Sequence, residues 1–270
     1  MERSKDMKRI LVTGASGQLG LSIRDIAPEY RGFEFHFVDY KALDITDYKK
    51  VYQILQTGKF HYCINCAAFT NVEQAEVTPE IAFQVNAEAV QNLALACKDH
   101  NVLLVHISTD YVFDGEKDTP YTTTDLPNPL NEYGKSKWEG EKHIAEILNN
   151  YFIVRTSWLY SNYGKNFYTT ILEKAKRGET LRITDEQTGC PTHAGNLATF
   201  ILELILSESQ QFGIYHFTDG EAMTWYEFAS KIIETNNLKN TTKIVRNNNY
   251  RSFAKRPRNS VLANLVNTKK

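Results

Sequence analysis

Three short segments of this chain carry residue types that can do chemistry together. Tyr133-Gly134-Lys135-Ser136-Lys137 sets a phenol and an amine four residues apart, which places both on one face of a helix. A phenol ordinarily titrates near about 10, and a neighbouring ammonium in a dry cleft can bring it toward neutrality at ~1.4 kcal/mol per pH unit. Such a phenol can hand a proton to a carbonyl oxygen as that oxygen becomes an alkoxide. Without other support, Tyr-x-x-x-Lys also recurs as a surface pair. Ser108-Thr109-Asp110 ends the apolar run from Val102, so its hydroxyls fall where α/β enzymes place polar groups. On its own this triplet equally describes a hydroxyl turn that closes a strand.

The third segment is Gly14-Ala15-Ser16-Gly17-Gln18-Leu19-Gly20. Its glycines permit a tight turn, close backbone approach to a pyrophosphate, and close packing of helix on strand. The spacing G-x-x-G-x-x-G departs from the G-x-G-x-x-G dinucleotide fingerprint, and no Gly-Lys-Ser/Thr follows to make a P-loop. Its setting carries more weight than its spacing: a strand precedes it, a helix follows, and Asp39 closes the second strand about 20 residues on. Asp39 could accept hydrogen bonds from an adenosine ribose and favour NAD, while Lys41 would favour the 2′-phosphate of NADP. NADH and NADPH both stay open.

These residues need a frame. Apolar, β-branched runs predict strands at Lys8–Thr13, Phe33–Asp39, Tyr62–Ala67, Val102–Ser108 and Tyr151–Ser157, with Phe33, Phe35 and Phe37 on one face at period 2. Helical spacing predicts helices over 18–28, 47–57, 79–99 and 131–148, the second capped by Asp47. Strand–helix alternation predicts an α/β fold: a Rossmann-like, doubly wound parallel sheet covered on both faces. Beyond about residue 158 the pattern loosens, with helices over 166–177, 194–207 and 224–236 and strands at Thr180–Thr184 and Gly213–Thr218. The expected organisation is a dinucleotide-binding domain over 7–158 and a smaller α/β substrate-binding domain over 159–270, partly interleaved, with ligand between them.

Composition excludes several classes. The 270 residues, 42% hydrophobic and 23% charged, fit a folded chain of one large or two ordinary domains. A net charge of −1 gives no reason to expect nucleic acid or an anionic membrane as partner. Leu197–Leu206, the most apolar stretch, is short and interrupted by Glu203, so no membrane span is expected. The N-terminus has no apolar signal core, so a cytoplasmic protein is expected; Met7 could be the original start, with residues 1–6 an extension. Cys63, Cys66, Cys97 and Cys190 form no metal set: Cys63 and Cys66 sit in an apolar strand, where residues three apart face opposite ways. All four are expected to be reduced.

Taken together, the glycine turn, the strand-end hydroxyl and Tyr-x-x-x-Lys resemble the extended short-chain dehydrogenase/reductase family. GASGQLG (14–20), LDIT (43–46), NCAAFTNVEQAE (65–76), VNAEAVQNLA (85–94), STDYVFDG (108–115), YGKSKWEGE (133–141), RTSWLY (155–160), GCPTHAGNLA (189–198) and RPRNSVL (256–262) are similar to the branch that reduces dTDP-linked 4-keto-6-deoxy sugars. The resemblance implies NAD(P)H-dependent reduction of the C4 ketone of dTDP-4-dehydro-β-L-rhamnose to dTDP-L-rhamnose, for cell-surface polysaccharide. It implies Tyr133 as proton donor, Lys137 as the group that holds the nicotinamide ribose and depresses Tyr133, and Thr109 as a second hydrogen bond to the carbonyl. Gly14, Ser16, Gly17, Gln18 and Leu19 would line the pyrophosphate, Asp44 and Ile45 would flank the adenine, and Ala67, Ala68 and Thr70 would border the cofactor beyond the third strand. Asp110, Trp158 and Arg256 would contact the sugar nucleotide.

Some relatives bind Mg²⁺ through glutamates at a dimer interface; those positions have no match here, so no metal ligand is assigned, and a monomer or a homodimer is expected. The chain ends eight residues after RPRNSVL, where the family usually continues into a further helix. Alternatives are another sugar-nucleotide epimerase, dehydratase or reductase, or a non-catalytic dinucleotide-binding regulatory subunit like that of methionine adenosyltransferase. The intact Thr109, Tyr133 and Lys137 argue against the last.

Overall fold

β1 (Lys8–Thr13) sends Ile10 and Val12 to one side of the sheet and Leu11 to the other, and all three are fully buried. A strand apolar on both faces must lie inside a covered sheet, which is where β1 sits. The computed structural model describes residues 7–247 and 251–264; the leader before Met7 and the segment beyond residue 264 lie outside the described residues.

The first part of the chain alternates as expected: α1 (Gln18–Ile26), β2 (Phe33–Phe37), α2 (Tyr48–Gly58), β3 (Tyr62–Asn65), α3 (Val72–Val77), α4 (Pro79–Phe83), α5 (Ala89–Asp99), β4 (Leu103–Thr109), α6 (Glu132–Ile147) and β5 (Tyr151–Thr156). Asp47 caps α2 by accepting from the Lys50 amide. The expected helix over 79–99 is α4 and α5 joined by a π-helical turn at Gln84–Glu88, and α3 before it was not foreseen.

The second part holds β6 (Leu159–Tyr160), α7 (Phe167–Lys176), β7 (Leu181–Ile183), β8 (Thr188–Gly189), β9 (Thr192–His193), α8 (Ala194–Leu206), β10 (Gly213–His216), β11 (Met223–Thr224), α9 (Trp225–Thr235) and β12 (Ile244–Arg246). The main sheet has six parallel strands in the order β10-β5-β4-β3-β1-β2. Strand order reverses between β1 and β3, and crevices for ligands open at the carboxyl ends of strands on either side of such a reversal.

Each face of the sheet has its own core. Leu11, Cys63 and Leu104 pack with Val51 and Leu55 of α2, Leu93 of α5 and Ile144 of α6. On the other face Ile10, Val12, Ile64 and Val105 pack with Leu19 and Ile23 of α1 and Leu197, Ile201 and Leu202 of α8. Thus α8 and β10, from late in the chain, complete the main sheet and its second covering layer. A third cluster, built on Ile171, Leu181, Phe228 and Ile232, ties α7, β7 and α9 into a separate lobe.

Candidate active site

The glycine turn lies against the end of β3. Gly14 has φ +62°, and a Cβ there would come within 2.6 Å of the Ala67 amide nitrogen, so neither the conformation nor the space suits a side chain. Gly17 then caps α1 with backbone only; no side chain occupies the first-turn amides of that helix. Free amides at a helix start, beneath a turn without Cβ atoms, suit a pyrophosphate. Two further polar atoms await a partner in the same cleft: Ser108 Oγ and Thr156 Oγ1 are buried without a hydrogen bond. The residues present therefore fit a dinucleotide.

Tyr133 and Lys137 lie in the first turns of α6, whose N-cap Asn131 accepts from the Gly134 amide at 2.8 Å. A Cβ on Gly134 would sit 2.1 Å from the Tyr111 carbonyl oxygen, so glycine lets α6 press onto the loop after β4 and carries Tyr133 to Thr109. Tyr133 hydrogen-bonds the Thr109 side chain, and Thr109 Oγ1 donates to Asp110 Oδ1 at 3.0 Å. Asp110 also accepts from Ser157 Oγ at 3.0 Å and from the Ser260 side chain.

Burial dominates the electrostatics. It pushes Tyr133 up to about 12, with the Thr109 hydrogen bond opposing and the Asp110 charge adding to the rise. The resemblance implies a Tyr133 depressed by Lys137; in the structure desolvation outweighs any such effect, and the phenol stays protonated at neutral pH. That is the form a proton donor needs. Lys137 is pulled by burial down to about 8, while Glu141 and Cys66 oppose the change. Burial lifts Asp110 to about 6 against its hydrogen bonds.

One cleft of about 570 Å³ gathers Gly14, Ser16, Gly17, Gln18, Leu19, Ala68, Thr70, Thr109, Asp110, Tyr133, Lys137 and Trp158. Five expected residues fall outside its lining. Ala67 supports Gly14 from behind with its backbone. Asp39 Oδ1 accepts from the Lys41 and Ala42 amides, Asp44 from Thr46, and Ile45 is buried. Arg256 pairs with Glu73 at 2.6 Å, and Glu73 also accepts from the Phe253 and Ala254 amides. Conversely the cleft includes Ser108, Thr156, Asn166, Phe167 and Trp225, which motif reading did not assign. Trp225 could have been suspected only as an aromatic opening a helix. Cys66 lies one residue past β3 and lines the cleft rather than the strand; all four cysteines are free. Among the described residues no group of three or more His, Cys, Asp or Glu is placed to hold a metal.

A doubly wound sheet, a backbone cradle at its reversal point and a Thr–Tyr–Lys set from the end of β4 and the start of α6 define an oxidoreductase of the extended short-chain dehydrogenase/reductase class. The profile of the RmlD substrate binding domain matches residues 7–269, and the chain belongs to that family. It is 39% identical over 269 residues to the dTDP-4-dehydrorhamnose reductase of Aggregatibacter actinomycetemcomitans, covering 95% of this chain and 90% of that one. It is 37% identical over 224 residues to the dTDP-4-keto-6-deoxy-D-glucose reductase of Streptomyces niveus, covering 82% and 76%. The crystal structure of dTDP-4-dehydrorhamnose reductase from Bacillus anthracis, in complex with NADP, superposes with a TM-score of 0.90 at 38% identity, covering 96% and 91%. No helix among the described residues is long and apolar enough to cross a membrane.

Proposed function

We propose that this chain reduces the C4 ketone of dTDP-4-dehydro-β-L-rhamnose to dTDP-L-rhamnose with NADPH or NADH. The observation that carries the reading is Tyr133, Thr109 and Lys137 gathered in one cleft with the glycine cradle and Trp158. Gly14, Gly17, Gln18 and Leu19 would hold the dinucleotide phosphates, and Ser108 and Thr156 would use their unpaired hydroxyls along the same cleft. The cofactor they hold would supply the hydride for the reduction. Tyr133 gives its phenolic proton to the C4 oxygen as charge develops there. Thr109 turns its hydroxyl from Asp110 to the same oxygen, so two donors meet the alkoxide in a dry site. Lys137 holds a ribose hydroxyl, and Asp110, Trp158 and Arg256 would orient the sugar nucleotide. Residues 7–158 with α8 and β10 would form the cofactor layer, and most of 159–264 the substrate lobe. A cytoplasmic location goes with this reading.

The test is absorbance at about 340 nm, where reduced nicotinamide absorbs, with purified protein, each cofactor and enzymatically prepared dTDP-4-dehydro-β-L-rhamnose. Cofactor oxidation coupled to dTDP-L-rhamnose is the expected result; a protein that binds cofactor but leaves this sugar unchanged would overturn the reading. A second reading, reduction of a different dTDP-linked 4-keto-6-deoxy sugar, draws on the Streptomyces niveus relative. Comparing turnover of the two ketosugars separates them.

A further inference from the structure

Lys137 is backed by a row of buried polar side chains that the reaction above leaves without a task. Lys137 Nζ lies 3.2 Å from His106 Nε2 and donates to the Ile107 carbonyl at 2.6 Å. His106 Nδ1 lies 3.0 Å from Asn65 Nδ2, and Asn65 Oδ1 is 2.6 Å from Thr13 Oγ1. Sheet register sets the row: Thr13 pairs with Asn65 across β1 and β3, and Asn65 with His106 across β3 and β4. All four side chains are at most 2% exposed, so water cannot repair a mismatched donor.

The chemistry of the row admits two self-consistent proton arrangements. An ammonium has only donors, so a charged Lys137 needs a bare lone pair on Nε2. The neutral ring then carries its proton on Nδ1, which must meet the Asn65 carbonyl, leaving the amide nitrogen to donate to Thr13. A neutral Lys137 gains a lone pair and so admits the reverse row: Nε2–H donates to the amine, Asn65 Nδ2 donates to Nδ1, and Thr13 donates to Asn65 Oδ1. Turning the Asn65 amide over exchanges its ends without displacing the row. Turning only some of the links beyond the amine sets donor against donor or acceptor against acceptor, and the ammonium, with donors only, excludes the Nε2–H ring outright. The ring itself takes no charge in either, because burial, and then the Lys137 ammonium, hold it neutral well below the ordinary imidazole range.

We propose that His106 is a positioning residue for the reduction: locked by Asn65 and Thr13, its ring fixes the Lys137 amine and ties the amine's charge to the ring's tautomer. The proposal rests on the role of Lys137 in the proposed function. With two ammonium hydrogens taken by His106 and Ile107, the third is the one left for a ribose hydroxyl in the cleft. The other titratable groups around Lys137 are Tyr133 and Glu141 on α6 and Cys66 after β3, with Glu141 itself paired to Arg155 of β5 at 2.6 Å. Glu141 and Cys66 act on Lys137 through charge, and none of the three takes part in the row.

The first test reads the imidazole nitrogens of the full-length protein by ¹⁵N NMR, with His106 assigned through His106→Gln. Below the Lys137 titration, which falls at about 8, His106 should carry its proton on Nδ1, and above it on Nε2. Lys137→Met should abolish the change and leave one tautomer throughout. A wild-type ring that keeps one tautomer from about pH 6 to about pH 10, or that becomes imidazolium in that range, overturns the proposal. The second test is the pH profile of kcat. His106→Leu removes the acceptor and should move the alkaline limb down by about one pH unit and lower kcat about ten-fold, with KM for the sugar unchanged. His106→Gln, which can both accept and donate, should restore the limb. A folded His106→Leu with the wild-type limb would also overturn it, and should that variant not fold, the NMR comparison with Lys137→Met decides. Because the NMR measurement needs no substrate, failure of the reductase reading would be seen separately from failure of the proton row.

Discussion

Trp158 lies flat against Trp225, ring centroids 3.4 Å apart and planes 4° from parallel. The pair joins the two parts of the molecule at the cleft: Trp158 follows β5 of the main sheet, and Trp225 opens α9 of the smaller lobe. Trp158 holds φ +47°, a conformation that costs a bulky residue of order 1–3 kcal/mol and persists where the surroundings impose it. Phe167, 4.4 Å from Trp225, and the Trp225 Nε1 hydrogen bond to Gln187 hold the other side of the stack.

Removing Trp225 should therefore act on substrate and spare cofactor. Stacked aromatics contribute about 0.5–1.5 kcal/mol beyond their burial, so Trp225→Ala should raise KM for the sugar nucleotide up to about ten-fold. KM for NADPH should change less than about two-fold, since Trp225 packs on Trp158 and Phe167 rather than on the glycine cradle. Steady-state kinetics with each substrate varied in turn checks this, and an equal loss on both would place the stack elsewhere in the mechanism.

Asp39 follows the residue whose carbonyl accepts from the Ala15 amide at 3.0 Å, so it stands beside the glycine turn. One of its oxygens is taken by the Lys41 and Ala42 amides, each at 3.0 Å, which holds the carboxylate in place. A fixed negative charge there opposes a 2′-phosphate, while Lys41 offers the opposite. Asp39→Ala should shift the ratio of kcat/KM for NADPH over NADH upward by about ten-fold. An unchanged ratio would remove Asp39 from cofactor selection.

How much of this was legible depends on whether a residue's role is written locally. Gly14, Thr109, Tyr133 and Lys137 belong to short motifs at the ends of strongly patterned elements, and the structure gathers them in one cleft. The Phe33, Phe35 and Phe37 alternation likewise marks β2 directly, with Phe35 and Phe37 stacked at 5.8 Å. By contrast β6, β8, β9 and β11 are two-residue strands that exist through pairing with distant partners, and nothing in their own sequence announces them. α3 is six residues long and depends on its Asn71 cap more than on any periodicity. Ser108 and Thr156 stand out only because their hydroxyls lack partners after folding. His106 reads as one polar residue in an apolar strand until sheet register sets it between Asn65 and Lys137. Arg256 is held by Glu73, an ion pair across 183 positions that no local pattern could show.

Asp110 makes stability depend on pH in a direction opposite to that of a salt-bridged carboxylate. Burial raises its folded-state pKa from 3.8 to about 6, so the folded protein prefers the protonated form. Its favourable contribution is complete below the unfolded-state value and is lost as pH rises through about 6, by at most about 3 kcal/mol. The difference in melting temperature between wild type and Asp110→Asn should accordingly move in favour of the variant as pH increases from about 4.5 to about 7.5. A difference that stays constant over that window would mean Asp110 keeps an ordinary carboxylate pKa.

Tyr133→Phe separates proton donation from everything else the side chain does. The ring would keep its edge-to-face contact with Tyr111, centroids 5.9 Å apart, so the first turn of α6 should hold its place. Lys137 would keep His106 and the Ile107 carbonyl, neither of which involves Tyr133. What is lost is the hydroxyl that reaches Thr109 and would protonate the C4 oxygen. The variant should bind cofactor and melt like wild type while kcat falls about 10²- to 10⁴-fold. Thr109→Val, which leaves the phenol but removes the second hydrogen bond to the alkoxide, should lose less, about 10- to 100-fold. If instead the threonine variant were the slower of the two, the proton would have to reach the sugar from the Asp110 side, through Thr109, and Tyr133 would serve to orient that hydroxyl.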